Sequence, residues 1–134
     1  MKPHLEEAWR AIRLADRDIH AFHVLTEDAE VHLSVICFHA QQAVEKLLKA
    51  VLFAHQIEFR RTHDLAELSY LLSQNGVLIP LDEVQLVRLN PFAVTYRYDD
   101  LDITTITTHE ASHWVDKVRR WADGEVTRVE KQGR

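Results

Sequence analysis

Cysteine occurs once and glycine and proline only three times each in this chain of 134 residues. The lone Cys37 excludes an intrachain disulfide and fits a reducing compartment. It stands in an apolar run, where a buried and inert thiol is expected. So few glycines and prolines leave few sharp turns, which favours helices joined by short loops over a sheet-rich fold. Three scattered glycines also build no phosphate-cradling loop. No apolar run approaches the ~20 residues needed to span a bilayer. The opening MKPHLEEAWR holds no apolar core of a signal peptide, so a cytoplasmic protein without membrane contact is expected. Basic charge is not in excess either. A net charge of −5 argues against capture of nucleic acid by the whole surface and leaves only a local basic patch open.

What the chain does have is helical periodicity. Its 46% hydrophobic and 28% charged residues are ordinary for a globular protein, and its length fits one domain, residues 1–134. The core is expected over about 5–122, with a polar, fraying tail over 123–134. Leu5, Ala8, Trp9, Ile12, Ala15, Ile19 and Phe22 repeat at the three-four spacing of one buried helical face, with Arg10, Arg13 and Arg17 off it. This predicts a helix over about 5–25. A longer helix is expected over about 29–55. On its wheel Ala40, Ala43, Val44, Leu47, Leu48, Ala50 and Val51 share one side; Gln41, Gln42, Glu45, Lys46 and Lys49 share the other. Phe38, Leu52 and Phe53 project onto that polar side, so something is expected to cover part of it, either a second copy or a later segment of the chain.

After a connector over 57–63, Asp64 can cap a helix to about Gln74 with Glu67 as its third-position partner. That helix buries Leu65, Leu68, Leu71 and Leu72 and ends at Asn75-Gly76. A short helix capped by Asp82 is expected to turn Val84, Val87 and Leu89 inward and to break at Asn90-Pro91. The last helix is expected from Thr107, with Glu110 closing a capping box and Ala111, Trp114, Val115, Val118, Trp121 and Ala122 inward. No convincing strand is visible. The fold class is all-α, an antiparallel up-and-down bundle of four to five helices.

Two constellations bear on chemistry. His109-Glu110-Ala111-Ser112-His113 has the H-E-x-x-H spacing of zinc hydrolases. The wheel sets the two histidines opposite Ala111, Trp114 and Val118, on the polar side, with Glu130 the one candidate for a third ligand. A solvated face is therefore expected, with no metal and no cofactor. The second constellation is basic. Arg60, Arg61 and His63 flank Thr62 just before a helix start, where backbone N–H groups attract anions. Lys46 and Lys49 can face the same place, and Arg97 lies between Tyr96 and Tyr98, a cation beside two stacking surfaces suited to nucleotides. Exposed loop arginines and a structural His63-Asp64 cap would look the same. No hydrolase triad emerges: Cys37 and His39 point to different sides of a helix.

Phe38-His-Ala-Gln-Gln-Ala-Val-Glu-Lys-Leu-Leu-Lys-Ala-Val-Leu52, Arg61-Thr-His-Asp-Leu65 and Tyr96-Arg-Tyr98 together resemble the HEPN domain (higher eukaryotes and prokaryotes nucleotide-binding), over about residues 8–122. The resemblance implies a helical up-and-down bundle that commonly dimerises. It implies, as partner, a minimal nucleotidyltransferase in a toxin–antitoxin-like pair, with a nucleotide or RNA as ligand. Some members are ribonucleases marked by an Arg and a later His with four to six residues between them, near the start of the last long helix. Here Arg97 precedes Tyr-Asp-Asp-Leu-Asp-Ile, and the next histidine is His109. Arg13 with His20 and Arg17 with His23 have the spacing, but in the first helix. The expectation is a non-catalytic, nucleotide-binding interaction module; the alternative is a metal-independent HEPN ribonuclease toxin.

Overall fold

A computed structural model describes residues 1–93 and 106–133. Its α-helices are α1 (Pro3–Thr26), α2 (Leu33–Ala54), α3 (Leu65–Gln74), α4 (Glu83–Leu89) and α5 (Thr108–Lys131), with a 3-10 turn at Asn90–Ala93. The described residues contain no strand, and the fold class is all-α as expected. Contacts between elements set the directions. Trp9 Nε1 donates to Glu130 at 3.2 Å and Arg119 Nε to Asp16 at 2.7 Å, so α1 and α5 run antiparallel. Asp18 meets His39 and Lys46, while Ala11 and Leu14 share a recess with Lys49 and Phe53. Hence α1 and α2 are antiparallel too, and α2 packs against both α1 and α5. The central α2 is accordingly buried over most of its surface, with Ala40, Ala43, Val44, Leu47, Leu48, Ala50, Val51 and Leu52 fully buried and the polar Gln41 and Glu45 buried as well.

The starts and stops follow local chemistry. Thr107 and Glu110 close a capping box on α5, and Asp82 and Gln85 close another on α4. Asp64 caps α3 by accepting from Ala66 and Glu67 N–H. Its expected return partner, the Glu67 side chain, turns instead to Arg60. α2 begins four residues later than the expected Ala29. Asp28 ties a turn through Glu30 N–H, and His32 is the cap, its Nδ1 accepting from Ser34 N–H at 3.1 Å.

Two expectations are corrected. The segment from 123 onward is not a fraying tail: α5 continues to Lys131, and Val126 and Val129 are fully buried. They extend the Val115–Val118–Ala122 face by two further turns against the bundle. In α4 the inward residues are Leu86 and Leu89, whereas Val84 and Val87 are 67% and 52% exposed. With seven residues, α4 is too short for valines to fix its phase, and the larger leucines take the core. No helix among the described residues is long and apolar enough to cross a membrane.

Candidate functional site

The polar side of α2 divides into two differently wired parts. In the first, α1 sends the buried Asp18 across to α2, where it meets His39 Nδ1 at 3.0 Å and the Lys46 ammonium. In the second, the chain leaving α2 folds back along it. Gln41, fully buried, donates to the His63 carbonyl at 3.0 Å and is itself held by Gln42 at 2.8 Å. Glu45, only 4% exposed, is bonded by His63 Nδ1 at 2.8 Å and by Lys49 Nζ at 2.9 Å. A carboxylate this dry needs both partners, because an unpaired buried charge is costly. The polar face is thus covered in part by the chain's own 57–63 connector.

Above this network lies an open groove of about 820 Å³ between the end of α2 and the connector, lined by Lys49, Phe53, Gln56, Phe59, Arg61 and neighbouring residues. Phe53 and Phe59 pack edge to face at 5.3 Å and 64°, and the Lys49 ammonium lies 6.0 Å from the Phe59 ring centre. The groove wall is shaped by a Schellman end to α2. Ile57 N–H bonds Leu52 O and Gln56 N–H bonds Phe53 O, with Gln56 in the left-handed region at φ 56°. It is the sole non-glycine with positive φ among the described residues, and it faces the groove. Arg61 is exposed and makes no ion pair among the described residues. Glu58 and His4 complete the rim.

The expected basic set is therefore sorted by geometry. Lys49 and Arg61 share the groove, and His63 joins them through Glu45. Lys46 is turned to Asp18, and Arg60 to Glu67 at 2.7 Å. The Glu67 hydrogen bond holds the Arg60 guanidinium above its usual range. The start of α3 does not offer the anion site expected of it. Its first N–H groups are already taken, Leu65 N–H by Asn90 Oδ1 and the next two by Asp64. Tyr96, Arg97 and Tyr98 lie outside the described residues. Phe59, Gln56 and His4 were not singled out from sequence. Phe53 was visible only as an aromatic on a polar stripe.

His109 and His113 are exposed on the outer face of α5, and no group of three or more potential ligands gathers among the described residues. Glu130 lies some 25 Å further along the same helix by its rise per residue and is bonded by Trp9. The H-E-x-x-H spacing here serves the cap: Glu110 closes the box with Thr107 and pairs with Arg88. The backbone hydrogen bond of Thr107, then Arg88, hold its carboxyl below the ordinary value. Cys37 is fully buried, and desolvation pushes its thiol up to about 12, which leaves it neutral and unreactive.

Most of the chain is matched by a known family. The HEPN domain pattern fits residues 8–124, and the chain belongs to the HEPN domain family. It is also similar to the crystal structure of an archaeal HEPN homologue, with 21% identity, 98% of each chain covered and a TM-score of 0.48. No curated protein matches it.

Proposed function

We propose that this HEPN domain is a binding module whose groove at the end of α2 takes a nucleotide-like ligand. The observation that carries the reading is one juxtaposition. Arg61, which makes no ion pair among the described residues, and the Lys49 ammonium flank an edge-to-face Phe53–Phe59 pair in one groove of about 820 Å³. The volume lies within the range of small-ligand sites. An aromatic face accepts a base and a free guanidinium accepts phosphate. The left-handed Gln56 on the groove wall supports the same reading, since backbone strain gathers at binding sites. In this reading the module works as a homodimer beside a minimal nucleotidyltransferase, in a toxin–antitoxin-like pair; family membership supports that part.

Calorimetric titration of the full chain with ATP and GTP tests the ligand. Binding in the micromolar to millimolar range is expected, weakened at least ~10-fold by Arg61→Ala, the loss of one charge-assisted contact. Equal heats from wild type and Arg61→Ala would remove the groove from the account. Co-expression with a minimal nucleotidyltransferase and recovery of a complex tests the partner.

A ribonuclease reading retains one observation in its favour. Arg13, Arg17, His20 and His23 are all exposed on α1, and such residues can stabilise a phosphorane and move a proton. Expression of the chain alone, scored for growth and intact RNA with His20→Ala and His23→Ala as controls, decides it. Harmless expression with intact RNA ends that reading.

A further inference from the structure

The groove at the end of α2 carries two polar side chains that ring stacking and phosphate contacts leave unused. Gln56 and Glu58 both line it, and both are exposed. Neither side chain has a hydrogen bond or ion pair among the described residues. The charges around them are already engaged: Glu45 is held by His63 and Lys49, and Arg60 by Glu67. Glu58 is the sole carboxylate among the residues that line the groove. Arg61, three positions on, lines the same groove but is not joined to it. In a site built for phosphate alone, a carboxylate would only repel the ligand. It becomes useful where another part of the ligand offers N–H donors.

The pattern of donors names the base. Guanine presents two adjacent donors, N1–H and the N2 amino group, and an ionised carboxylate accepts both at once, one on each oxygen. Next to them stands the O6 acceptor, which suits the amide N–H of a glutamine. Adenine instead sets its N6 amino donor beside the bare N1 acceptor. A carboxylate there gains one bond and meets a lone pair with the other oxygen. Cytosine likewise pairs one amino donor with a bare ring nitrogen, and uracil places its single N–H between two acceptors. Guanine is therefore the base whose edge an unpartnered Glu and a nearby Gln complete. Discrimination by such a pair is strong, because the wrong base leaves the carboxylate stripped of water and unsatisfied.

We infer that the groove selects guanine nucleotides over adenine nucleotides, with Glu58 accepting from the N1–H and N2 amino donors and Gln56 donating to O6. The inference rests on the nucleotide-binding reading and goes beyond it by naming the base and the residues that read it. The two opposite charges of the lining then have separate tasks, Glu58 at the base edge and Arg61 at the phosphate, with Phe53 and Phe59 as the stacking surface between.

Calorimetric titration of the full chain with GTP, ITP and ATP, repeated on Glu58→Gln, tests it. Wild type is expected to bind GTP at least ~10-fold tighter than ATP. ITP, which keeps N1–H but lacks the N2 amino group, should fall between them. Glu58 is exposed and bonded to no described residue, so Glu58→Gln should keep the wild-type circular dichroism and urea midpoint. It should weaken GTP on the order of 10-fold and leave ATP unchanged, so that the preference collapses. Equal affinities for GTP and ATP in wild type would overturn the guanine inference alone. So would a Glu58→Gln protein that binds both nucleotides more tightly by the same factor, the behaviour of a carboxylate that only repels phosphate. No binding of any of the three nucleotides would overturn the nucleotide reading and this inference with it.

Discussion

Gln56 and Gly76 occupy the same place in the same structural device. Each follows a helix at the left-handed position of a Schellman end, with φ 56° and 78°, and each is closed by the same pair of backbone hydrogen bonds. At Gly76 the residue suits the geometry, since glycine has no Cβ to crowd the carbonyl. At Gln56 a side chain is held in a region costly for L-residues, by about 1 kcal/mol or somewhat more. Gln56→Gly is therefore expected to stabilise the fold by about 1 kcal/mol in urea unfolding while weakening ligand binding at the groove. A loss of stability would show that the glutamine side chain contributes more than its backbone costs. This residue was not legible in the sequence. Asn75-Gly76 announces its turn, whereas nothing in His55-Gln56-Ile57 does. Glu45 was equally hidden. On a wheel it is one more solvated acid four residues before Lys49. Its burial comes from His63, eighteen positions later, and a wheel has no means of representing that return of the chain.

At the scale of the element, helix starts were the most legible feature, because a cap is a local bargain between one side chain and nearby N–H groups. Thr107, Asp82 and Asp64 each cap as their spacing implies. Helix faces were legible where the apolar repeat is long, as in α1 and α2. They failed in α4 and at the end of α5, where two valines among charges carry too little periodicity to read. The far half of α5 is held by its buried valines and by a local charge cluster. Glu125 is bonded by Arg128 at 2.6 Å and by His55 at 3.2 Å. Burial pushes its carboxyl up, but the hydrogen bonds of Arg128 and His55 outweigh that and hold it below its ordinary 4.5. A depressed carboxyl adds stability that is complete above the unfolded value and is lost as pH falls through the folded one. The urea midpoint is thus expected to drop as pH falls below about 4.5. Glu125→Gln should flatten that part of the profile and lower the midpoint at neutral pH. An unchanged slope in the variant would remove Glu125 from the acid response.

For the molecule as a whole, the family and the all-helical bundle could be read from the chain, because helical periodicity and the Phe38–Leu65 motifs run along contiguous stretches. The groove could not. Its cations are those the sequence singled out, yet folding divides them. Asp18 takes Lys46 and Glu67 takes Arg60, while Lys49, held by Glu45, stays with Arg61 beside Phe53 and Phe59. The Asp18–Lys46 pair is decided by α1 and α2 becoming neighbours, and the Arg60–Glu67 pair by how the connector meets the first turn of α3. The resulting claim concerns place as much as chemistry: a nucleotide-like anion belongs at the α2 end, not on the exposed Arg13–His20 face of α1. Nitrogen-15 chemical-shift mapping of the full chain during an ATP titration reads that place directly. The account predicts saturable shifts centred on Lys49, Gln56, Phe59 and Arg61, absent in Arg61→Ala. Shifts confined to Arg13, Arg17 and His20, or no shifts at millimolar ATP, would contradict it.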